Sequence, residues 1–217
     1  MKQKTNSILI ERENLQNGFF SAYTEKENII GCNSDGHFSF LETSFDNLQF
    51  IHCDYTLFDS KDVCVNIDSE VLEMHFCLSG ESKLLKKNEN VLLKTGHHML
   101  RFQSSQQQEI LMSPAEKARF YEIRIGFSHF EKLMGDFCPH SSRMFSNTPF
   151  AITPEMYAIV SQLTNTAYSG QMKTLFLEAK MTELFLLQLQ QQRQFSEKKL
   201  FHLRNLIKIE STMPDNC

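Results

Sequence analysis

The sequence predicts an α+β chain: a strand-rich half that closes into a sandwich or barrel, followed by a helical half. Three observations carry this. From Ile8 to Phe127 the apolar residues come in short runs parted by Gly, Asn, Asp and Ser. From Ser128 onward they fall at helical spacing. Strands first and helices after mark segregated layers, not alternating βαβ units. The length of 217 residues suits one large domain, or a barrel with a helical appendage.

The clearer strands are His37–Thr43, Leu48–Leu57, Val63–Ile67, Val71–Leu78, Ser82–Lys86, Met99–Phe102, Glu109–Met112 and Ala118–Ile125. Val71–Leu78 alternates most cleanly. Leu72, Met74, Phe76 and Leu78 form an apolar face, and Glu73, His75 and Cys77 a more polar one. Ser79-Gly80 ends this strand, and Lys87-Asn88-Glu89-Asn90 reads as a turn. Closing such a sheet removes its exposed edges.

In the second half, Ser128 stands three residues before Glu131. This predicts a capping box for a short helix, Ser128–Met134, with Gly135 as its stop. Cys138-Pro139 to Thr148-Pro149 reads as an irregular link. Thr153 as N-cap and Pro154 as first residue open a second helix that runs to Tyr168. Met156, Ile159, Val160, Leu163 and Ala167 line one side of it, and Ser169-Gly170 breaks it.

A third helix is expected over Met172–Gln194. Met172, Leu175, Phe176, Ala179, Leu186 and Leu189 form one apolar stripe; Leu177, Met181, Leu184 and Leu187 form another. A helix apolar on two sides needs two surfaces to pack against. The body of the domain supplies one, and the first stripe is assigned to a partner subunit in a homodimer. A fourth helix is expected from Ser196, with Phe195 and Leu200 as a hydrophobic staple around its cap. Its basic side, Lys198, Lys199, Arg204 and Lys208, reads as an ordinary solvated face.

Composition excludes several classes. Hydrophobic residues make up 41% and charged residues 22%, so a packed core is expected and disorder is not. A formal net charge of −4 argues against a chain that grips nucleic acid by itself. No run of about 18 apolar residues suggests a membrane span. The polar start, Met1 to Asn6, lacks a signal-peptide core, so a cytoplasmic protein is expected. Cys32, Cys53, Cys64, Cys77, Cys138 and Cys217 form no C-x-x-C pair and read as reduced thiols.

The eight histidines raise the question of a metal. One ligand set known from barrel strands is an H-x-H pair, then a Glu, then a distant His, and it needs two imidazoles two residues apart so that both point to one face. No H-x-H occurs here, and the adjacent His97 and His98 should point to opposite faces. A structural or pocket-lining role is preferred, while convergence of His52, His75 and His97 or His98 in a metal-dependent enzyme stays the alternative. Neither a nucleophile elbow nor a phosphate loop is present, so no catalytic residue and no cofactor are assigned. Polar groups set among apolar strands suggest instead a pocket for a small molecule. The candidates are His52, Asp54, Glu73, His75, Arg101, Tyr121 and Arg124.

Leu72 to Gly80, LEMHFCLSG, resembles a strand of AraC-family sensor domains, especially a branch common in Bacteroidetes and related to siderophore-responsive regulators. Gly96 to Phe102, GHHMLRF, is similar to the next landmark of that branch; His98 matches it and Met99 replaces the usual Asn. Phe176 to Phe185, FLEAKMTELF, looks like the family's long helix. Ser196 to Pro214 is similar to the opening helix of its DNA-binding region. The resemblance spans about His37 to Pro214. It implies a cupin-like (jelly-roll, double-stranded β-helix) sensor barrel over 1–127, a helical dimerisation unit over 128–195, and the start of a DNA-binding region over 196–217. It also implies that most of the DNA-reading region, with its two helix-turn-helix units, is missing here. As written, the chain is not expected to bind an operator specifically.

Overall fold

The computed structural model describes residues 8–11, 23–31, 36–67, 69–85, 90–103, 106–134 and 148–211. Beyond residue 198 it describes the backbone alone. The elements run β1 (Ile8–Glu11), β2 (Thr24–Gly31), β3 (Gly36–Phe45), β4 (Leu48–Leu57), β5 (Lys61–Ile67), β6 (Val71–Ser79), β7 (Glu81–Leu85), β8 (Val91–Lys94), β9 (His97–Gln103), β10 (Gln106–Met112), β11 (Ala115–Gly126), α1 (Phe127–Met134), β12 (Phe150–Ala151), α2 (Pro154–Thr164) and α3 (Gly170–Ser211). Gly135, the Cys138–Asn147 part of the expected link, the Lys87–Glu89 part of the expected turn, and the side chains of Lys199, Arg204 and Lys208 lie outside the described residues.

Two sheets form a cupin-like barrel. One has the order β1-β5-β10-β7-β8, the other β12-β9-β6-β11-β4-β3-β2. All pairings are antiparallel except β1 with β5. Local chemistry sets the corners. Asp46 and Asn47, both at positive φ (44° and 63°), make the two-residue turn between β3 and β4, because that backbone matches the twist of the flanking strands and suits Asp and Asn. Gly80 (φ +94°) turns β6 into β7, and a Cβ there would lie 2.7 Å from Ala118 Cβ and 2.8 Å from Tyr55 Oη. Glycine meets both the dihedral and the space.

Both faces of the seven-stranded sheet are covered, so its strands carry two kinds of apolar alternation. The inward face contributes Phe38, Phe40, Ile51, Tyr55 and Phe120 to the barrel core, joined by Val63, Val65 and Met112 of the opposing sheet. The outward face contributes Phe50, Leu72, Met74, Phe76, Leu100, Tyr121 and Ile123 to a second core with the helices. Met156, Ile159, Val160 and Leu163 of α2 meet it there, as do Leu177, Met181, Leu184 and Phe185 of α3. The apolar face of β6 therefore packs under helices. Its polar face, Glu73 and His75, points into the barrel.

Several expectations need correction. β1, β2, β8 and β12 were not foreseen. β2 reads TEKENIIG and is mostly exposed; it is an edge strand held by pairing with β3, without the alternation that marks a half-buried strand. Ser128 does not open α1 as its cap. It lies inside the first turn, where Oγ accepts a hydrogen bond from Asn47 (3.2 Å). α2 begins as expected, with Thr153 Oγ1 accepting from the Met156 amide (3.3 Å), but it ends at Thr164 with Asn165 as C-cap. That leaves Ala167 exposed beyond its end.

The largest correction is that the third and fourth helices are one. α3 runs for 42 residues through Phe195 and Ser196, about 63 Å at 1.5 Å per residue. Ser196 is not a cap: its hydroxyl donates to the Gln192 carbonyl one turn back (3.0 Å). The stretch lacks Gly and Pro, so nothing in the backbone breaks it.

Candidate functional site

Sheet register explains why charged side chains meet inside the barrel. In the paired strands Glu73 of β6 sits directly opposite Arg101 of β9 on one side and Arg124 of β11 on the other. His75, two residues on, sits opposite Glu122. Period-2 alternation puts all five on the inward face. Glu73, Arg101, Glu122 and Arg124 are each at most 5% exposed.

The contacts are specific. Arg101 Nε donates to Glu73 Oε1 at 2.7 Å, and its Nη2 also pairs with that carboxylate and donates to Gln108 Oε1 (2.9 Å). Gln103 Nε2 donates to the same Gln108 oxygen (3.3 Å). Arg124 Nη1 donates to Gln49 Oε1 (2.6 Å), and Gln49 passes the chain on to Glu42 (3.1 Å). His75 Nδ1 stands 3.8 Å from both Glu73 and Glu122, with its ring stacked on Phe120 at 5.0 Å. Burial pushes the Glu73 carboxyl above its ordinary range; Arg101 opposes this and Glu122 reinforces it. The space beside these groups, bounded by Ile10, Phe38, Val63 and Phe120, amounts to about 40 Å³.

Of the seven predicted pocket residues, Glu73, His75, Arg101 and Arg124 line this cavity. His52, Asp54 and Tyr121 do not. His52 and Tyr121 face outward into a cleft under α2 and α3. Asp54 is half-exposed and pairs with Arg119 at 2.8 Å. Strand parity carries the signal: Tyr121 and Arg124 are three residues apart in one strand and cannot share a face. The same rule would have found Glu122, which the sequence reading missed. Gln49, Gln103 and Gln108 were missed too, as uncharged residues with no local pattern.

The histidine set of the alternative is not assembled. His75 points inward, while His98 is fully buried on the helix side. His97 Nδ1 rests against the Thr95 carbonyl (3.2 Å). Glu73, His75 and Glu122 do bring one ligand atom each within 4.8 Å of one another. One imidazole and two carboxylates are a chemically reasonable set for a divalent cation. Against it, Arg101 already holds Glu73, and Arg124 flanks the same carboxylate in register.

The six predicted dimerisation residues also divide. Met172, Leu175 and Leu186 are each about 60% exposed and Ala179 is exposed. Phe176 and Leu189 instead lean on the chain's own core, with Phe176 against Tyr168 at 5.1 Å.

Two facing sheets with charged groups between them and helices laid on one sheet define the class as a cupin-like β fold with a helical appendage. The chain belongs to the family of the regulatory protein PchR N-terminal domain, whose family model matches residues 35–203. It is thus akin to the N-terminal domain of a regulatory protein. Among solved structures it is similar to ToxT K231A from Vibrio cholerae, with 13% identity, a TM-score of 0.50, and coverage of 66% of this chain and 57% of that one. That likeness shows the fold, over little more than half of ToxT. Similarity extends to the AraC-like transcriptional activator CuxR (6% identity, 75% and 69% coverage, TM-score 0.46) and to EutQ of Clostridium difficile (15%, 43% and 71%, 0.31). Among curated proteins none matches. No helix among the described residues is long and apolar enough to cross a membrane.

Proposed function

We propose that the chain senses a small effector inside the barrel, pairs with a second copy through α3, and relays occupancy to a DNA-binding region that follows it, in the cytoplasm and without catalysis. The observation that carries this reading is the buried constellation of Glu73, His75, Arg101, Glu122 and Arg124. Buried ion pairs rarely add stability over apolar residues of similar volume. A barrel that only had to fold would be better served by an apolar interior, and polar groups set in an apolar cavity are what orients a ligand.

The cavity of about 40 Å³ holds some three waters at roughly 10–15 Å³ each. A larger effector therefore enters with movement of its lining. β1 is the element best suited to move: four residues, at the edge of its sheet, paired among the described residues to β5 alone, with Ile10 against the cavity. The effector shifts the population only through its preference for one arrangement. For the pairing surface, exposed Met172, Leu175, Ala179 and Leu186 recur along one side of α3, the pattern of a helix that meets its twin.

The test is a thermal-shift screen of metabolites and iron-chelate compounds, followed by calorimetry. A true effector at about 100 times its Kd stabilises by ~2.7 kcal/mol, and the Glu73→Met/Arg101→Met double variant loses the response. A response unchanged in that variant places the ligand elsewhere. The Glu73, His75 and Glu122 cluster favours a second reading, a metal-dependent cupin. Stoichiometric iron, zinc or manganese in protein purified without an affinity tag would replace the first reading with it.

A further inference from the structure

The cleft outside the barrel is larger than the cavity within. It lies between the outward face of β3, β4 and β11 and the junction of α2 with α3, and its volume is about 220 Å³ against about 40 Å³ inside. Two polar groups stand on its floor. His52 and Tyr121 are direct cross-strand partners with ring centroids 6.3 Å apart. His52 Nε2 is buried and has no hydrogen-bond partner; Asp54 Oδ2, at 3.7 Å, is beyond bonding reach. Burial holds the His52 pKa below its ordinary value, so the ring is neutral at pH 7. Burial likewise raises the Tyr121 phenol and keeps its proton in place.

The remaining lining fixes the ligand class. Phe50, Leu163 and Leu177 supply apolar surface, and Lys173 at the rim is matched by Glu25 at 2.7 Å. The charges cancel, leaving a neutral donor–acceptor pair in a cleft whose walls combine the threonines Thr43, Thr164 and Thr166 with these apolar side chains. An unbonded buried ring nitrogen costs stability, and two apolar residues would pack this sheet as well.

We infer that this cleft is a second binding site, for a small uncharged ring compound bearing a hydroxyl group. The hydroxyl bridges His52 and Tyr121, and the ring lies on Phe50, Leu163 and Leu177. Rotation of the His52 ring about its Cβ–Cγ bond presents Nε2 to the cleft. Such a ligand touches barrel strands and both helices at once, so it favours the arrangement in which α3 is docked. The site is separate from the barrel interior and stands or falls independently of it.

The experiment is a titration of the whole chain with 4-methylphenol, followed by ¹H–¹⁵N chemical shifts. Saturable shifts are expected around Phe50–His52, Tyr121, Leu163–Thr166 and Lys173–Leu177, with a Kd on the order of 1 mM for a ligand this small. Leu41→Trp, at a partly exposed lining position, should weaken binding about tenfold by filling the cleft, and His52→Phe should do the same by removing the acceptor. Either variant suffices if the other misfolds. The Glu73→Met/Arg101→Met variant should bind normally. Charged 4-methylbenzoate should bind about tenfold more weakly than the phenol. Non-saturable shifts, shifts centred on the barrel interior, undiminished affinity in a folded Leu41→Trp or His52→Phe chain, or equal binding of the benzoate would each overturn the proposal.

Discussion

His98 of β9 is hydrogen-bonded to Gln191 of α3, Nε2 to Oε1, at 2.6 Å, and this bond ties the barrel to the long helix. Gln188, one turn earlier, approaches the other ring nitrogen at 2.8 Å. With Nε2–H donating to Gln191 and Nδ1 accepting from Gln188, both contacts suit the neutral imidazole. The ring is fully buried beside Phe76 and Phe150. Burial lowers its pKa from 6.5; the Gln191 bond opposes this, and His97 adds slightly to it.

The pH dependence follows from that direction. A histidine whose folded pKa lies below its unfolded value takes up a proton more readily when unfolded. Its contribution is therefore constant above pH 6.5 and falls as the pH drops below it. His52 shifts in the same direction, so the two must be separated by substitution. His98→Phe should cost about 2 kcal/mol at pH 7.5, because the buried Gln188 amide loses its partner. It should also flatten the loss of stability between pH 6.5 and 5, measured by urea unfolding. An acid slope identical to that of the unaltered chain would show that His98 does not carry it.

The pairing of Glu73 with Arg101 makes a different prediction. Arg101→Met leaves a buried carboxylate that burial already disfavours and should cost about 3–5 kcal/mol. Adding Glu73→Met removes the stranded charge, and the double variant should recover most of that loss. Recovery of stability together with loss of the effector response would mark the pair as serving recognition and not folding. A double variant as unstable as the single one would make the pair structural.

Legibility divided along physical lines. Strands dense in apolar and β-forming residues were readable, as β4 and β6 show, and so was α2, whose Thr153-Pro154 start is a local signal. β2 was not, because a charged edge strand is defined by its neighbour β3 and not by its own residues. At the site, Glu73 and His75 stood out as polar residues in an apolar strand. Which way that face pointed was not in the strand: with helices covering the outward side, apolar alternation ran on both faces. His52 and Tyr121 were taken for interior residues for this reason. The two stripes of α3 were visible too, but Phe176 and Leu189 lie near the border between them, and tertiary packing drew both toward the core.

Leu186 and Leu184 are two residues apart on α3 and lie in opposite environments, 60% exposed and fully buried. Leu186→Asp should leave the melting temperature of the monomeric fold nearly unchanged, since exposed substitutions usually fall within about 0.5 kcal/mol. It should weaken self-association at least ~10-fold by sedimentation equilibrium, as expected for a charge placed in an apolar interface. Leu184→Asp should instead unfold the chain or lower its melting point sharply. A Leu186→Asp chain as dimeric as the parent would move the interface off this stripe.

The continuity of α3 through Ser196 gives the last prediction. Residues 193–198 are largely exposed, so apart from the edge contact of Phe195 with Phe150 (5.4 Å) this stretch is held by its backbone ladder and by local contacts such as Arg193 with Glu197 at 3.0 Å. Exposed i,i+4 pairs of that kind contribute about 0.3–0.5 kcal/mol. Ser196→Pro removes the amide hydrogen bond to Gln192 and crowds its carbonyl, a local cost of about 3 kcal/mol. That exceeds what the local contacts supply, so the helix should end near Phe195 while the barrel and the docked part of α3 stay folded. Hydrogen exchange should show protection lost from residue 196 onward and retained at Leu177–Leu184. In a chain carrying the DNA-binding region, effector binding should persist and its influence on DNA affinity should vanish. If that influence survives the proline, the signal does not travel along α3.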